Sequence, residues 1–186
     1  ANVNLIRTGI EELFHYSGSS FEDYKTVLNK TVIQNGVTVK LNEVILDDDQ
    51  ILISSTFSSD KVKWDPSTFV ETKVYINGKD IMYNGGAGGS LAKVITSSTA
   101  SVVSSIAPRN TKLLALTGNL NIKVVYNKIR TKDRELTGKW SFEFTASKDR
   151  LLADIKNIPV NIAFTIDNGP KIIIESLRIS PVATKL

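Results

Sequence analysis

The chain has 186 residues, of which 41% are hydrophobic and 23% are charged, and its net charge is +4. These proportions are typical of a folded globular domain and argue against disorder or a membrane-embedded protein. The absence of cysteine excludes disulfide bonds and thiolate metal sites, and the single histidine, His15, cannot form a histidine cluster. No apolar run reaches the roughly 18 residues that a membrane span requires.

Residues 2–16 form the first predicted element. Their apolar side chains recur at helical spacings, and Thr8 and Glu11 stand three apart as in a capping box, so a short amphipathic helix is expected. His15 lies near the helix end, where a structural role beside the C-terminal dipole is favoured over ligand or acid–base chemistry. Residues 21–27 fit either another helical turn or an extended lead-in.

A β-hairpin is predicted over residues 31–57. Val37, Val39 and Leu41 alternate with polar residues, which is typical of a strand with one apolar face. A second run, residues 51–57, returns after an acidic tip that consists of Asp47, Asp48, Asp49 and Gln50. Aspartate is unfavourable in strands and favourable in turns, so this tip is expected to be a solvated turn. Asn35-Gly36, inside the first run, predicts either a type I′ turn or a bulge.

The acidic tip is the clearest candidate for site chemistry. Its carboxylates can offer oxygen ligands to Ca²⁺, but the tip lacks the glycine and glutamate of an EF-hand loop, so calcium binding is left open. Pairing with Glu43 for glycoside hydrolysis is disfavoured, because residues so close together on one exposed tip lack a cleft. No G-x-S-x-G nucleophile pattern occurs. The sequence therefore predicts a protein that is not an enzyme, with no catalytic, cofactor-binding or metal-binding residue, no cofactor, and unknown ligand-binding residues.

A loop and a second hairpin come next. Residues 60–67 are expected to be a loop, because Pro66 cannot donate to a sheet ladder. Trp64 in this loop is favoured as a cover for the core edge over an exposed aromatic side chain for a sugar or peptide. Residues 69–76 then precede Asn77-Gly78, the strongest hairpin signal in the chain.

A glycine-rich stretch, residues 84–90, superficially resembles a phosphate-binding loop. It lacks the Gly-Lys-Ser/Thr ending of a P-loop and the βαβ setting of a dinucleotide loop, so a flexible loop is predicted. Residues 113–125 then predict one or two strands with a bend near Gly118-Asn119.

The densest basic run consists of Lys128, Arg130, Lys132 and Arg134. A solvated hairpin loop accounts for it, because a binding patch for nucleic acid would carry more aromatic residues than the nearby Tyr126. No nucleic-acid partner is therefore predicted. The next strand, residues 138–144, places Trp140, Phe142 and Phe144 on one face, where a core role is expected.

Residues 155–179 predict a last hairpin around a turn at residues 167–170. The succession of strands and turns with little helix predicts an all-β, immunoglobulin-like antiparallel β-sandwich with a short N-terminal helix. Residues 1–24 are the helix and lead-in, residues 25–156 are the sandwich, and residues 157–186 are C-terminal strands. One interpretation of these last strands is the start of a truncated second β domain.

Several of these stretches resemble a known family. They are residues 29–32, 35–39, 42–48 and 51–53, the glycine-rich stretch after Asn77-Gly78-Lys79, and residues 138–142. The resemblance is to the extracytoplasmic domain of unknown function in Gram-positive membrane-anchored proteins, many of them described as anti-sigma factors. In that family a cytoplasmic region and one transmembrane helix precede this module, and both are expected to lie outside this chain.

The resemblance implies a membrane-anchored, extracytoplasmic location at the cell surface and a ligand- or partner-sensing role in signalling. The expected partner is an unknown protein, a peptide or an anionic wall polymer, and the oligomeric state is unknown. The alternative function is a cell-surface adhesion or wall-polymer-binding module that uses the basic surface and Trp64. Net positive charge favours polyanions, although dispersed lysines also fit a solubilising surface.

Overall fold

The computed structural model describes residues 10, 21–82, 86–108, 115–166, 169–182 and 184–185. Across these ranges the protein is all-β, and its strands pair antiparallel. A 3₁₀ turn at Phe21–Asp23 precedes the first strand, and a short helix, α1, spans Asp149–Ala153. The predicted helix over residues 2–16 lies outside the described residues apart from Ile10, and so does His15.

The strands are β1 (Lys25–Gln34), β2 (Val37–Leu46), β3 (Ile51–Ser58), β4 (Phe69–Ile76), β5 (Lys79–Asp80), β6 (Gly86–Thr96), β7 (Thr99–Pro108), β8 (Leu120–Arg130), β9 (Glu135–Ala146), β10 (Lys156–Thr165), β11 (Lys171–Ile179) and β12 (Thr184–Lys185). A five-stranded sheet has the order β1-β2-β3-β7-β6, and a four-stranded sheet has the order β5-β4-β8-β9. The two sheets enclose one main hydrophobic core, which makes the fold a β-sandwich.

In the main core, alternate side chains of β9 are buried together with side chains of β2, β3 and β8. Trp140 is completely buried, and its indole Nε1–H donates to the Val37 carbonyl oxygen at 3.2 Å. The ring of Tyr126 lies edge-on to that of Phe57, with 5.4 Å between centroids. The predicted core role of Trp140, Phe142 and Phe144 is confirmed, and Trp64 is buried against the same core.

Both asparagine–glycine turns are confirmed. Asn35 and Gly36 have φ angles of 53° and 75°, and Asn77 and Gly78 have φ angles of 48° and 79°. Positive φ at both central positions is the requirement of a type I′ turn, which asparagine and glycine meet at low cost. Because Gln34 pairs with Val37, the stretch at Asn35 is a turn between two strands and not a bulge in one. The predicted hairpin over residues 31–57 therefore contains parts of three strands.

The prediction of a flexible loop over residues 84–90 is wrong for residues 86–90, the part that the structure describes. Residues from Gly86 onward belong to β6, in which Gly88 pairs with Ile106 and Gly89 pairs with Ser105 of β7. Glycine is unfavourable in strands, but its backbone N–H and C=O groups can join a ladder like those of any other residue. Pairing with the mostly buried strand β7 has overridden the local preference.

The C-terminal hairpin is confirmed as β10 paired with β11, which with β12 forms a third, three-stranded sheet. Large apolar side chains remain exposed on this hairpin or directly after β10: Ile158, Ile162, Phe164, Ile166 and Ile173. A two-layered fold normally covers such side chains, so this sheet differs from the two sandwich sheets.

Gly138 offers a direct test of the packing around Trp140. A Cβ atom at Gly138 would lie 2.5 Å from the Trp140 ring, whereas a Cβ at Gly89 would have no heavy atom within 4 Å. We expect Gly138→Ala to lower the free energy of unfolding by about 1–3 kcal/mol, because the buried ring has nowhere to move. The matched control, Gly89→Ala, should change it by less than about 1 kcal/mol. Urea denaturation measures both, and equal stability of the two variants would contradict the packing described here.

Candidate functional site

The predicted acidic tip lies in the turn between β2 and β3, and its first residue, Asp47, is buried. Asp47 is 0% exposed, so the expectation of a fully solvated turn is wrong at this position. Its carboxylate accepts the Asp48 backbone N–H at 2.8 Å, and its own backbone N–H donates to the Gln50 carbonyl oxygen at 2.9 Å. Asp47 thus accepts a backbone hydrogen bond within its own turn, as aspartate commonly does, but it does so in the protein interior.

Two cationic side chains approach this buried tip. Arg178 of β11 places Nε 2.7 Å from the Asp48 carboxylate. Lys148, which directly precedes α1, is only 3% exposed. Burial lowers the pKa of the Lys148 ammonium group, while the nearby carboxylates of Asp48, Asp47 and Asp149 act in the opposite direction. The tip is therefore an ion cluster that joins the β2–β3 turn, the start of α1 and β11.

The same geometry bears on calcium. One carboxylate oxygen from each of Asp47, Asp48 and Asp49 lies within 4.8 Å of the others, and such oxygens suit Ca²⁺. However, Arg178 Nε lies 2.7 Å from the Asp48 carboxylate, and Lys148 is close enough for the charges of Asp48 and Asp47 to act on its pKa. Calcium would have to compete with both cations, so the arrangement favours an ion-paired cluster over a calcium site.

A second hydrophobic core lies beside this ion cluster. Its buried members are Ile10, Phe21, Ile45, Leu52, Val103, Leu151 and Val182. Ile45, Leu52 and Val103 belong to the outer face of the five-stranded sheet, whereas the others come from the N-terminal segment, α1 and the C-terminal segment. The second core thus brings the two ends of the chain together on one face of the sandwich.

Glu43 anchors the N-terminal side of the second core. The backbone N–H of Ile10 donates to the Glu43 carboxylate at 2.9 Å, and the Lys25 ammonium group lies 3.1 Å from the same carboxylate. Burial alone would lower the pKa of Lys25, but its hydrogen bonds to Glu22 and Glu43 raise the pKa above its usual value. The carboxylate that the sequence offered for glycoside hydrolysis is instead held in a structural ion pair.

The other residues that the sequence singled out are dispersed. Trp64 is 4% exposed and cannot serve as a surface aromatic platform. Lys128 and Arg130 pair with Glu135 across the β8–β9 hairpin at 2.9 Å and 3.0 Å, and hydrogen bonds to these two side chains lower the pKa of Glu135. The prediction of a β8–β9 hairpin at the basic run is confirmed.

Sequence reasoning missed Lys148, Arg178 and Val182. Nothing in their local sequence marks a buried lysine, or an arginine that reaches the β2–β3 turn. One available signal was the continuous apolar character of the strand ends, residues 44–46 and 51–53, which is typical of strands buried on both faces.

Comparisons with known proteins support the fold and give no activity. Residues 1–59 match the model of an uncharacterised family, described as a domain of unknown function (DUF4179). A crystal structure of a conserved domain protein from Bacillus anthracis is similar over 87% of this chain, with 20% identity and a TM-score of 0.65. At this identity the similarity supports the fold alone, and the chain covers 53% of that protein's length.

A second solved structure, the yeast GGA1 GAE domain-P21, covers 64% of this chain and 98% of its own, at 10% identity with a TM-score of 0.24. A score this low carries no argument about the present fold. No curated protein matches the chain. In the described ranges, no helix combines the length and the apolarity needed to cross a membrane.

Lys148 provides a test of the ion cluster. We expect Lys148→Met to lower the free energy of unfolding by about 3 kcal/mol, because the buried Asp47 and the partly buried Asp48 lose a compensating charge. Lys171→Met, which removes the same charge from an exposed position on β11, should cost less than about 0.5 kcal/mol. Urea denaturation at neutral pH measures both losses.

A double variant separates charge from packing at the same position. Asp47→Asn keeps an oxygen for the Asp48 N–H but removes the negative charge, so Asp47→Asn combined with Lys148→Met should cost less than the sum of the single changes. Strict additivity of the two losses would show that the two side chains do not interact.

Proposed function

We propose that this chain is a non-enzymatic module that senses a ligand or partner protein outside the cytoplasm and belongs to a membrane-anchored, anti-sigma-factor-like regulator. The match of residues 1–59 to an uncharacterised family supports a relationship of this kind, and the resemblance noted in the sequence supplies the regulatory role. The structural observation that carries the proposal is the second core, in which Ile10 and Val182 share one buried cluster.

A sensor needs a physical connection between the segment that detects and the segment that responds. Ile45 and Leu52 belong to one buried cluster with Ile10 of the N-terminal segment and Val182 of the C-terminal segment. Close-packed cores resist continuous deformation, so a shift of the C-terminal segment changes the environment of the N-terminal segment.

Two polar contacts fix both segments to the same strand and turn. The Ile10 N–H is held by Glu43 of β2, and Arg178 of β11 is held by Asp48 in the β2–β3 turn. These contacts allow a relay with no chemical reaction.

The polar groups of the main core also support a binding role over an enzymatic one. The hydroxyl groups of Ser55 and Tyr126 lie 2.5 Å apart, which superficially suggests an activated serine. Both residues are buried, and burial raises the pKa of Tyr126 well above its usual value, so Tyr126 cannot act as a base at neutral pH. This pair is a satisfied internal hydrogen bond.

Two finer features of the fold belong to the same proposal. The sandwich of five and four antiparallel strands supports an immunoglobulin-like classification, which the sequence pattern suggested. The exposed isoleucines of β10 and β11 support the assignment of residues 157–186 to a second β domain, because such a face needs a covering layer. The alternative role as an adhesion module loses Trp64 as a contact residue, since that side chain is buried.

The relay can be measured directly on this chain by hydrogen exchange. Val182→Ala removes apolar contacts from the second core, and we expect exchange at the Ile10 amide to accelerate about tenfold because its burial is coupled to that core. Ile173→Ala, on the exposed part of β11, is the matched control and should leave Ile10 exchange unchanged. A change confined to residues 180–182 would contradict the relay.

The regulatory role requires a test in cells that produce the full-length membrane-anchored protein. Removal of this module, with the anchor and the cytoplasmic region retained, should change transcript levels measured genome-wide. Val182→Ala should reproduce part of that change, whereas Ile173→Ala should not, because only Val182 lies in the second core. Identical transcript profiles with and without the module would exclude the sensing role.

A further inference from the structure

The outer face of the four-stranded sheet carries an open groove of about 840 Å³. Strands β4, β8 and β9 supply its floor, and its chemistry comes mainly from Lys73, Tyr75, Lys123, Asn127, Lys139 and Glu143. It lies on the sheet face opposite to the main core, because Val74, Val124 and Phe142 of the same strands point inward.

Strand register explains why these polar side chains meet. Tyr75 pairs with Lys123, and Lys123 pairs with Glu143, so the three residues form one row across the sheet. Lys73 pairs with Val125, and Val125 pairs with Ser141, in the neighbouring row. Lys139 stands two residues before Ser141, on the same face of β9.

The groove has an excess of positive charge. Lys123 and Glu143 neutralise each other at 2.7 Å, and this contact lowers the pKa of Glu143. Lys73 and Lys139 form no ion pair with any residue in the described ranges. A further ammonium group reaches the rim, where Lys30 of β1 donates to the Glu143 carbonyl oxygen at 2.5 Å.

We propose that this groove binds an anionic polymer in which hydroxyl-bearing units are joined by phosphodiester groups. The assignment deepens the proposed sensing function and rests on it, since it names the class of ligand that the module detects. Lys73 and Lys139 lie two strand spacings apart across the sheet and two residues apart along it, so their Cα atoms are roughly 12 Å apart. That separation suits two charges along one chain better than one isolated anion.

The uncharged polar side chains of the groove favour a ligand that carries hydroxyl groups. In the same groove lining, the Tyr75 hydroxyl and the Asn127 amide can hydrogen-bond to hydroxyl groups. Lysine acts as a point charge toward phosphate, and no arginine fork for planar carboxylates lies in the groove lining. An acidic peptide would be expected to pair with a strand edge, but the groove lies on a sheet face. A single-stranded nucleic acid would need several aromatic side chains for stacking, and the groove lining offers Tyr75 and Phe144, of which Phe144 is buried in the core.

Calorimetric titration of the whole chain with poly(glycerol phosphate) tests the proposal at low and moderate salt. We expect saturable, salt-sensitive binding that weakens about fivefold with Lys73→Ala or Lys139→Ala, and about 25-fold with both. Tyr75→Phe should weaken binding of the same polymer through loss of one hydroxyl. Lys171→Ala removes an equal charge from exposed β11 and should change the affinity less than twofold. Unchanged melting temperatures confirm that each variant is folded.

Three results would overturn the assignment. They are the absence of binding, equal weakening by Lys171→Ala, and equal affinity for polyglutamate or single-stranded DNA of matched charge. These results leave the hydrogen-exchange relay between Val182 and Ile10 untouched, so the ligand class and the sensing mechanism fail by different measurements.

Discussion

The end of the β2–β3 hairpin is buried on both faces, and the rest of the structure depends on this constraint. Val44 and Ile53 point into the main core, whereas Ile45 and Leu52 point into the second core. Successive side chains of a strand face opposite ways, so an apolar run needs a covering layer on each side. The four-stranded sheet covers one face, and the other is covered by a layer drawn from Ile10, Phe21, α1 and Val182.

This double burial also determines the electrostatics of the turn. Asp47 caps the turn between two buried strands and therefore enters the protein interior with its charge. A buried carboxylate is tolerated only with hydrogen bonds and compensating charge. Lys148 and Arg178 supply that charge from the segment before α1 and from β11, so the need to neutralise one turn ties the C-terminal hairpin to the sandwich.

The proposed ligand groove and the proposed relay lie on outer faces of different sheets, and β1 contacts both. Lys30 of β1 reaches β9 at the groove rim, while Lys25 of the same strand pairs with Glu43, which holds Ile10. The part of β1 between Lys25 and Lys30, about half of the strand, therefore connects the groove rim to the second core. A ligand bound at Lys73 and Lys139 would lie beside the contact between Lys30 and Glu143. The exposed face of β10 and β11 offers a separate surface for a partner.

The sequence by itself determined the strand content, the two asparagine–glycine turns and the core face of β9, because alternation and positive-φ preferences act over a few residues. The lack of cysteine, the single histidine and the absence of a G-x-S-x-G pattern led only to the prediction of a binding module. Only the tertiary structure decided that glycines 88 and 89 extend β6, that Asp47 is buried, and that Lys73 and Lys139 share a groove with Lys123. Each of these three features depends on strands or segments that are distant in sequence. The local residue pattern does not specify which strands pair or which segments bury a side chain.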